Sequence, residues 1–268
     1  MERAADFSCI RSMTVFGEWR PFFISKKMKL LRVLDLEDTR HLRNKELELI
    51  GNLHHLKYLS LRGSHGVFEL PSSFGNLCSL ETLDIKGTYV TKLPGCLIKL
   101  KKLKYIHAGR VASNDGPSTM KITDIPRELV KYFSQAYEIG SKGKTGTSEV
   151  GVVEEDTEEV DKVEDYPSFN FRLGVLLKRQ NVHGVQVPEG IKKLQDLHTL
   201  GVVNVYVRNG KKILKELKNL TQPRKLRVTG IGKETSKEVC FAVCHLSRLE
   251  SLSLRSEGFP GFHLPTSC

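Results

Sequence analysis

At 268 residues the chain is long enough for one large domain or two ordinary ones, and 39% apolar content is slightly low for a compact globule. Its formal charge of +11 is segregated, because residues 149–165 carry nine acidic groups and one lysine, which leaves +19 on the remainder. No run reaches the ~18–20 apolar residues of a membrane-spanning helix, residues 1–10 lack the apolar core of a signal peptide, and the six cysteines show neither CxxC nor paired framework spacing. These features exclude a helical membrane protein and a disulfide scaffold, and make a reducing intracellular setting the default expectation.

In chain order, Ile10, Met13 and Val15 alternate over 9–16 and predict a first strand, ended by Gly17. Residues 18–29, with Trp19, Phe22, Phe23, Ile24 and Met28, are expected to form a connecting arm against the stacked repeats. Leu31, Leu34 and Leu36, then Leu53, Leu56, Leu59 and Leu61, set a beat that is clearest over 71–110. There Pro71, Phe74, Leu77, Leu80, Leu83 and Ile85 are matched 23 residues later by Pro94, Leu97, Leu100, Leu103, Ile106 and Ala108. The central apolar residues Met13, Leu34, Leu59, Leu83 and Ile106 are 21 to 25 residues apart, within the 20–29 residue period of leucine-rich repeats and their L-x-x-L-x-L strand. Alternation turns these residues inward and leaves those between them on the outer face of a strand. Gly63, Gly87 and Gly109 supply turn chemistry after each strand, and each proline reopens a convex segment with about one turn of helix.

After Ala108 the rhythm breaks. Residues 113–118, containing Asn114-Asp115-Gly116-Pro117, predict a loop. Ile122–Pro126 then repeats the form of Val90–Pro94, and Arg127–Tyr137 predicts a short amphipathic helix. The acidic segment 140–168 has too little apolar surface to offset its ordering entropy and is expected to be disordered. Residues 169–177 resemble a degenerate strand, with Leu176 placed 24 residues before Leu200 and Lys178 at an apolar site. The beat then returns at Leu200, Leu226 and Leu252, 26 residues apart, although Pro223 stands where a leucine is expected. Four segments are therefore expected: N-terminal repeats (1–110), a repeat tail with a short helix (111–139), a disordered acidic insertion (140–168) and C-terminal repeats (169–268). The last is expected to be truncated, since Leu264-Pro265 opens a further unit.

Several of these stretches carry a family resemblance. Residues 11–17 (RSMTVFG), 31–36 (LRVLDL), 86–94 (KGTYVTKLP), 187–203 (VPEGIKKLQDLHTLGVV) and 214–222 (LKELKNLTQ) resemble plant intracellular nucleotide-binding leucine-rich-repeat disease-resistance proteins. The resemblance spans most of the chain outside 140–168. It implies an α/β leucine-rich-repeat solenoid, a curved parallel sheet with loops and short helices on its convex side. It further implies a cytoplasmic array that binds a pathogen effector or a guarded host protein. In that family the array also holds the nucleotide-binding domain of the same receptor inactive until a ligand arrives. Neither that domain nor a signalling domain is in this sequence, so the chain is expected to bind without signalling.

No enzyme, cofactor or metal site is expected. Gly140–Thr145 (GSKGKT) lacks the first glycine of a phosphate-binding loop, Glu138 standing in its place, and no helix pattern comes after it. His54 and His55 have no companion ligands and suit an exposed surface. Cys240, Cys244 and His245 lack two further ligands, so the cysteines are expected to be small buried residues.

Specificity is expected from the outward strand positions. One column runs Val33, Tyr58, Thr82, Tyr105, Thr199, Lys225, Ser251. The next runs Asp35, Ser60, Asp84, His107, Gly201, Arg227, Ser253, and a third Glu37, Arg62, Lys86, Gly109, Val203, Thr229, Arg255. From these, Tyr58, Arg62, Lys86, Tyr105, His107, Lys225, Arg227 and Arg255 are the candidate protein-binding residues, aromatic anchors with charged companions. Two other readings stand beside this one. One is an intracellular repeat scaffold without a nucleotide-binding partner. The other is a basic nucleic-acid binder, for which no nucleic-acid motif accompanies the charge.

Overall fold

The structure is a computed structural model, and it describes residues 7–20, 23–25, 27–109, 184–206 and 209–256. All of these fall in one compact unit, Met1–Ser113 with Gln180–Cys268. Its frame is a sheet of eight strands: β1 (Ser12–Thr14), β2 (Val33–Asp35), β3 (Tyr58–Ser60), β4 (Thr82–Asp84), β5 (Tyr105–His107), β6 (Thr199–Asn204), β7 (Lys225–Ile231) and β8 (Ser251–Ser256). The strands lie in sequence order and every pair is parallel. A parallel neighbour can be reached only by a crossover, so each repeat must carry its chain over one face of the sheet before starting the next strand.

The central residues expected from the period are the ones in register: Met13, Leu34, Leu59, Leu83, Ile106, Leu200, Leu226 and Leu252. Leu34, Leu59, Leu83 and Ile106 are fully buried, whereas Met13 and Leu252, on the outermost described strands, are only partly covered. That difference is a consequence of the architecture, in which each repeat buries its apolar face on its neighbours.

Strand ends share a backbone device. Gly63, Gly87 and Gly109 have φ of 65°, 80° and 90°, and Asp38 takes the same left-handed turn at 53° one repeat earlier. Left-handed backbone is strained for a residue with a Cβ, which is why glycine recurs there. Just beyond the turn sits a buried hydroxyl that satisfies a main-chain carbonyl. Thr39 Oγ1 donates to Val15 O, Ser64 Oγ to Leu36 O and Thr88 Oγ1 to Ile85 O, at 3.3, 2.9 and 2.7 Å. Buried polar groups require such partners.

On the convex side, Pro71 and Pro94 precede 3-10 turns at Ser72–Asn76 and Gly95–Lys99, and a third turn covers Ile191–Lys193. Phe74, Leu97 and Ile191 point from them into the core. Helices α1 (Asn44–Ile50), α2 (Gly210–Leu217) and α3 (Lys233–Cys244) replace these turns elsewhere. The 26-residue repeats thus accommodate longer strands and true α-helices. Trp19, Ile24 and Met28 of the expected N-terminal arm are buried, with Trp19 and Phe23 edge to face at 5.9 Å.

Strand β5 is hydrogen-bonded directly to β6, Ile106 opposite Leu200. The position beside Thr91–Leu93 is filled by Gln186, whose N–H donates to Thr91 O and whose carbonyl accepts from Leu93 N. One expectation needs correction: Cys240 is half-buried and Cys244 exposed, because Val239 and Ala242 take the inward phase of α3. Pro223, standing where a leucine is expected, is itself buried. The readings of 113–118, Ile122–Pro126, Arg127–Tyr137, 140–168, Gly140–Thr145 and 169–177 lie outside the described residues.

Candidate functional site

The strand residues between the leucines form the concave face. The first expected column is in register along its whole length, Val33, Tyr58, Thr82, Tyr105, Thr199, Lys225 and Ser251 standing opposite one another in turn. Tyr105 is 38% exposed, and its ring stacks 6.4 Å from His107 and 5.8 Å from His198. Tyr58 is half-buried, and burial, then the negative charge of Asp35, push its hydroxyl above the ordinary tyrosine range.

The other two columns hold from β2 to β5 and slip at β6. Leu200 pairs with Leu226, but Val202 pairs with Arg227, so Gly201 is an extra residue in a bulge. Val203 is consequently buried and does not join the outward series, while Asn204 takes the place opposite Thr229. Beyond β7 the expected pairs Arg227–Ser253 and Thr229–Arg255 return.

Charge divides this face in two. Toward the N-terminus, Arg62 Nε lies 3.2 Å from Asp84 Oδ2 and 3.6 Å from Glu37 Oε1. Burial opposes its charge, but Asp84 and Glu37 outweigh it and hold the guanidinium above its ordinary value. Asp84, only 5% exposed, also accepts the Lys86 N–H at 2.9 Å. Toward the C-terminus, Arg62, Lys86, His107, Lys225 and Arg227 line one depression of about 190 Å³, whose wall includes the side-chain-free backbone of Gly109 and Gly201. Five of the eight candidates thus converge on one place. Tyr58 and Tyr105 lie outside it in the first column, and Arg255 is exposed on β8.

A further column, one residue nearer the strand starts, escaped the sequence reading. There Glu81 is held 3.0 Å from both Lys57 and Lys104, and Arg224 lies 3.0 Å from Glu250, with His198 between the two groups. Its signal was the first variable position of L-x-x-L-x-L, where opposite charges recur. Among the described residues no cluster of metal-ligating side chains occurs, and no helix is long and apolar enough to cross a membrane.

An open parallel sheet with this repeat, and a match of residues 9–125 to the family described as "Leucine-rich repeat region", define the chain as a leucine-rich-repeat solenoid. Its sequence relatives are plant disease resistance proteins. It is 38% identical over 108 residues to disease resistance protein Pik-2 of Oryza sativa subsp. japonica, covering 40% of this chain and 10% of that one. It is 41% identical over 102 residues to disease resistance protein RGA4 of the same organism, covering 35% and 10%. Putative disease resistance RPP13-like protein 3 of Arabidopsis thaliana is 35% identical over 105 residues, covering 36% and 12%. The aligned stretch is thus about a tenth of the length of these relatives. Among solved structures, the crystal structure of PEPR1-AtPEP1 is similar in fold, with TM-score 0.48 and 14% identity over 92% of this chain and 24% of that one. Residues 9–125 thus match a leucine-rich-repeat region, and about 100 residues of the chain are similar to plant disease resistance proteins.

Proposed function

We propose that this chain is the recognition array of an intracellular plant immune receptor. Its concave face binds a protein, either a pathogen effector or a guarded host protein, and also contacts the nucleotide-binding domain of the same receptor. The observation that supports this reading most is the registered outward column from Val33 to Ser251. It aligns variable side chains on rigid strands about 4.8 Å apart, the arrangement of a continuous protein-binding surface. The relatives' name as disease resistance proteins supplies the immune context.

The test is co-expression with the nucleotide-binding domain encoded alongside this array. The array is expected to co-purify with that domain, and Arg62→Glu together with Lys86→Glu to weaken the association while the melting curve stays cooperative. Absence of any association at micromolar concentration would overturn the autoinhibitory part of the reading.

A further inference from the structure

The depression between β5 and β6 is a consequence of the fold. Gly201 bulges out of register, and the backbone of Gly109 and Gly201 contributes no side chain to the wall. Around that gap stand Lys86, Lys225 and Arg227, joined by Arg62 and His107. No carboxylate lines it, and the nearby Asp84 is already engaged by Arg62 Nε and the Lys86 N–H. Among the described residues, Lys86, Lys225 and Arg227 make no ion pair, in contrast to Arg62, Lys57 and Lys104. Like charges gathered at a concavity raise the local positive potential and draw in an anion, which charge-assisted hydrogen bonds then hold.

We propose that this depression is an anion subsite that seats one acidic side chain, a carboxylate or a phosphate, of the protein bound on the concave face. The inference rests on the protein-binding reading above and names the chemistry of the partner. Two features favour a peptide over a nucleic acid. The volume, about 190 Å³, suits a single anionic group. A polyphosphate strand running on along the face would meet Asp35 and Glu37 on the β2 side, whereas a partner segment with an acidic group and then a basic one would match both halves.

The test uses the full chain and fluorescein-labelled hexaglutamate, hexaglutamine and hexaphosphoserine peptides in an anisotropy titration, with oligothymidylate and inorganic phosphate as competitors. Hexaglutamate or hexaphosphoserine is expected to bind and hexaglutamine not to; whichever acidic peptide binds more tightly identifies the source of the anion. Lys225→Gln with Arg227→Gln is expected to weaken binding about tenfold or more. Lys99→Gln with Lys192→Gln, an equal loss of charge on the convex turns, is expected to change it less than about twofold. Equal weakening by the convex pair would reduce the effect to net charge and overturn the proposal. Displacement by inorganic phosphate at concentrations equal to the peptide would overturn it in favour of a free-anion site. Tighter oligothymidylate binding lost with Lys225 and Arg227 would overturn it in favour of nucleic acid. If the nucleotide-binding domain fails to co-purify while peptide binding survives, the partner assignment fails and the subsite stands; the reverse result fails the subsite alone.

Discussion

Glu81 shows what single residues contribute on this sheet. It sits on the strand-entry side of β4 with Lys57 on one neighbour and Lys104 on the other, each at 3.0 Å. Hydrogen bonds from Lys104 and then Lys57 hold its carboxyl below the ordinary glutamate range. A depressed folded-state value means that the carboxylate stabilises the fold fully above the unfolded glutamate range. That contribution is lost as pH falls through the folded value. Glu81→Gln is therefore expected to lower the thermal midpoint slightly at neutral pH, with the difference from the parent vanishing in acid. A difference that persists in acid would show that the side chain acts through packing. Only part of this was legible in the sequence. Leucines announce themselves by period, because burial demands the same chemistry at every turn of the solenoid. Arg62 reads as a free cation until the register sets Glu37 and Asp84 beside it, and that register is a property of stacked strands separated by more than twenty residues.

At the scale of elements, β6 is where local pattern and stacking part company. The spacing of Leu200 and Val202 matches the earlier strands, so the sequence places Gly201 and Val203 on the outer face. The structure instead makes Gly201 a bulge and buries Val203. The reason is close approach: a Cβ at 201 would overlap the Ala108 backbone nitrogen and fall 2.9 Å from its carbonyl oxygen. Backbone cannot yield as a flexible side chain can. Gly201→Ala is expected to destabilise the fold by about 1–3 kcal/mol, the usual cost of overpacking, measured by denaturant unfolding. It is also expected to weaken anion binding, because the subsite depends on the bulge. Unchanged stability would mean that β5 and β6 can separate without cost. The convex helices were less legible than the strands for a related reason. Whether a segment closes as a 3-10 turn or as α2 and α3 depends on how many residues the repeat must spend crossing the face, which the Φ-x-x-L spacing alone does not encode.

Across the whole molecule, the eight described strands form one continuous array. Val202 bonds to both of the stretches that meet there: its N–H donates to Ala108 O at 3.3 Å and its carbonyl accepts from Val185 N at 2.7 Å. The described stretches that end at Gly109 and begin at Gly184 thus meet on one strand of the array. That geometry predicts the outcome of replacing residues 111–182 by a four-residue glycine-serine linker. For the flexible connection that the composition of 140–168 leads one to expect, shortening 72 residues to four is about four halvings, at about 0.6 kcal/mol each, so the array is expected to gain up to ~2.5 kcal/mol. The expected result is a cooperative melt at or above the parent midpoint, with hexaglutamate binding retained, since Lys86, Lys225 and Arg227 all lie outside the deletion. A lower midpoint or loss of cooperativity would show that residues 111–182 pack on the repeats and belong to the core that each repeat builds on its neighbour.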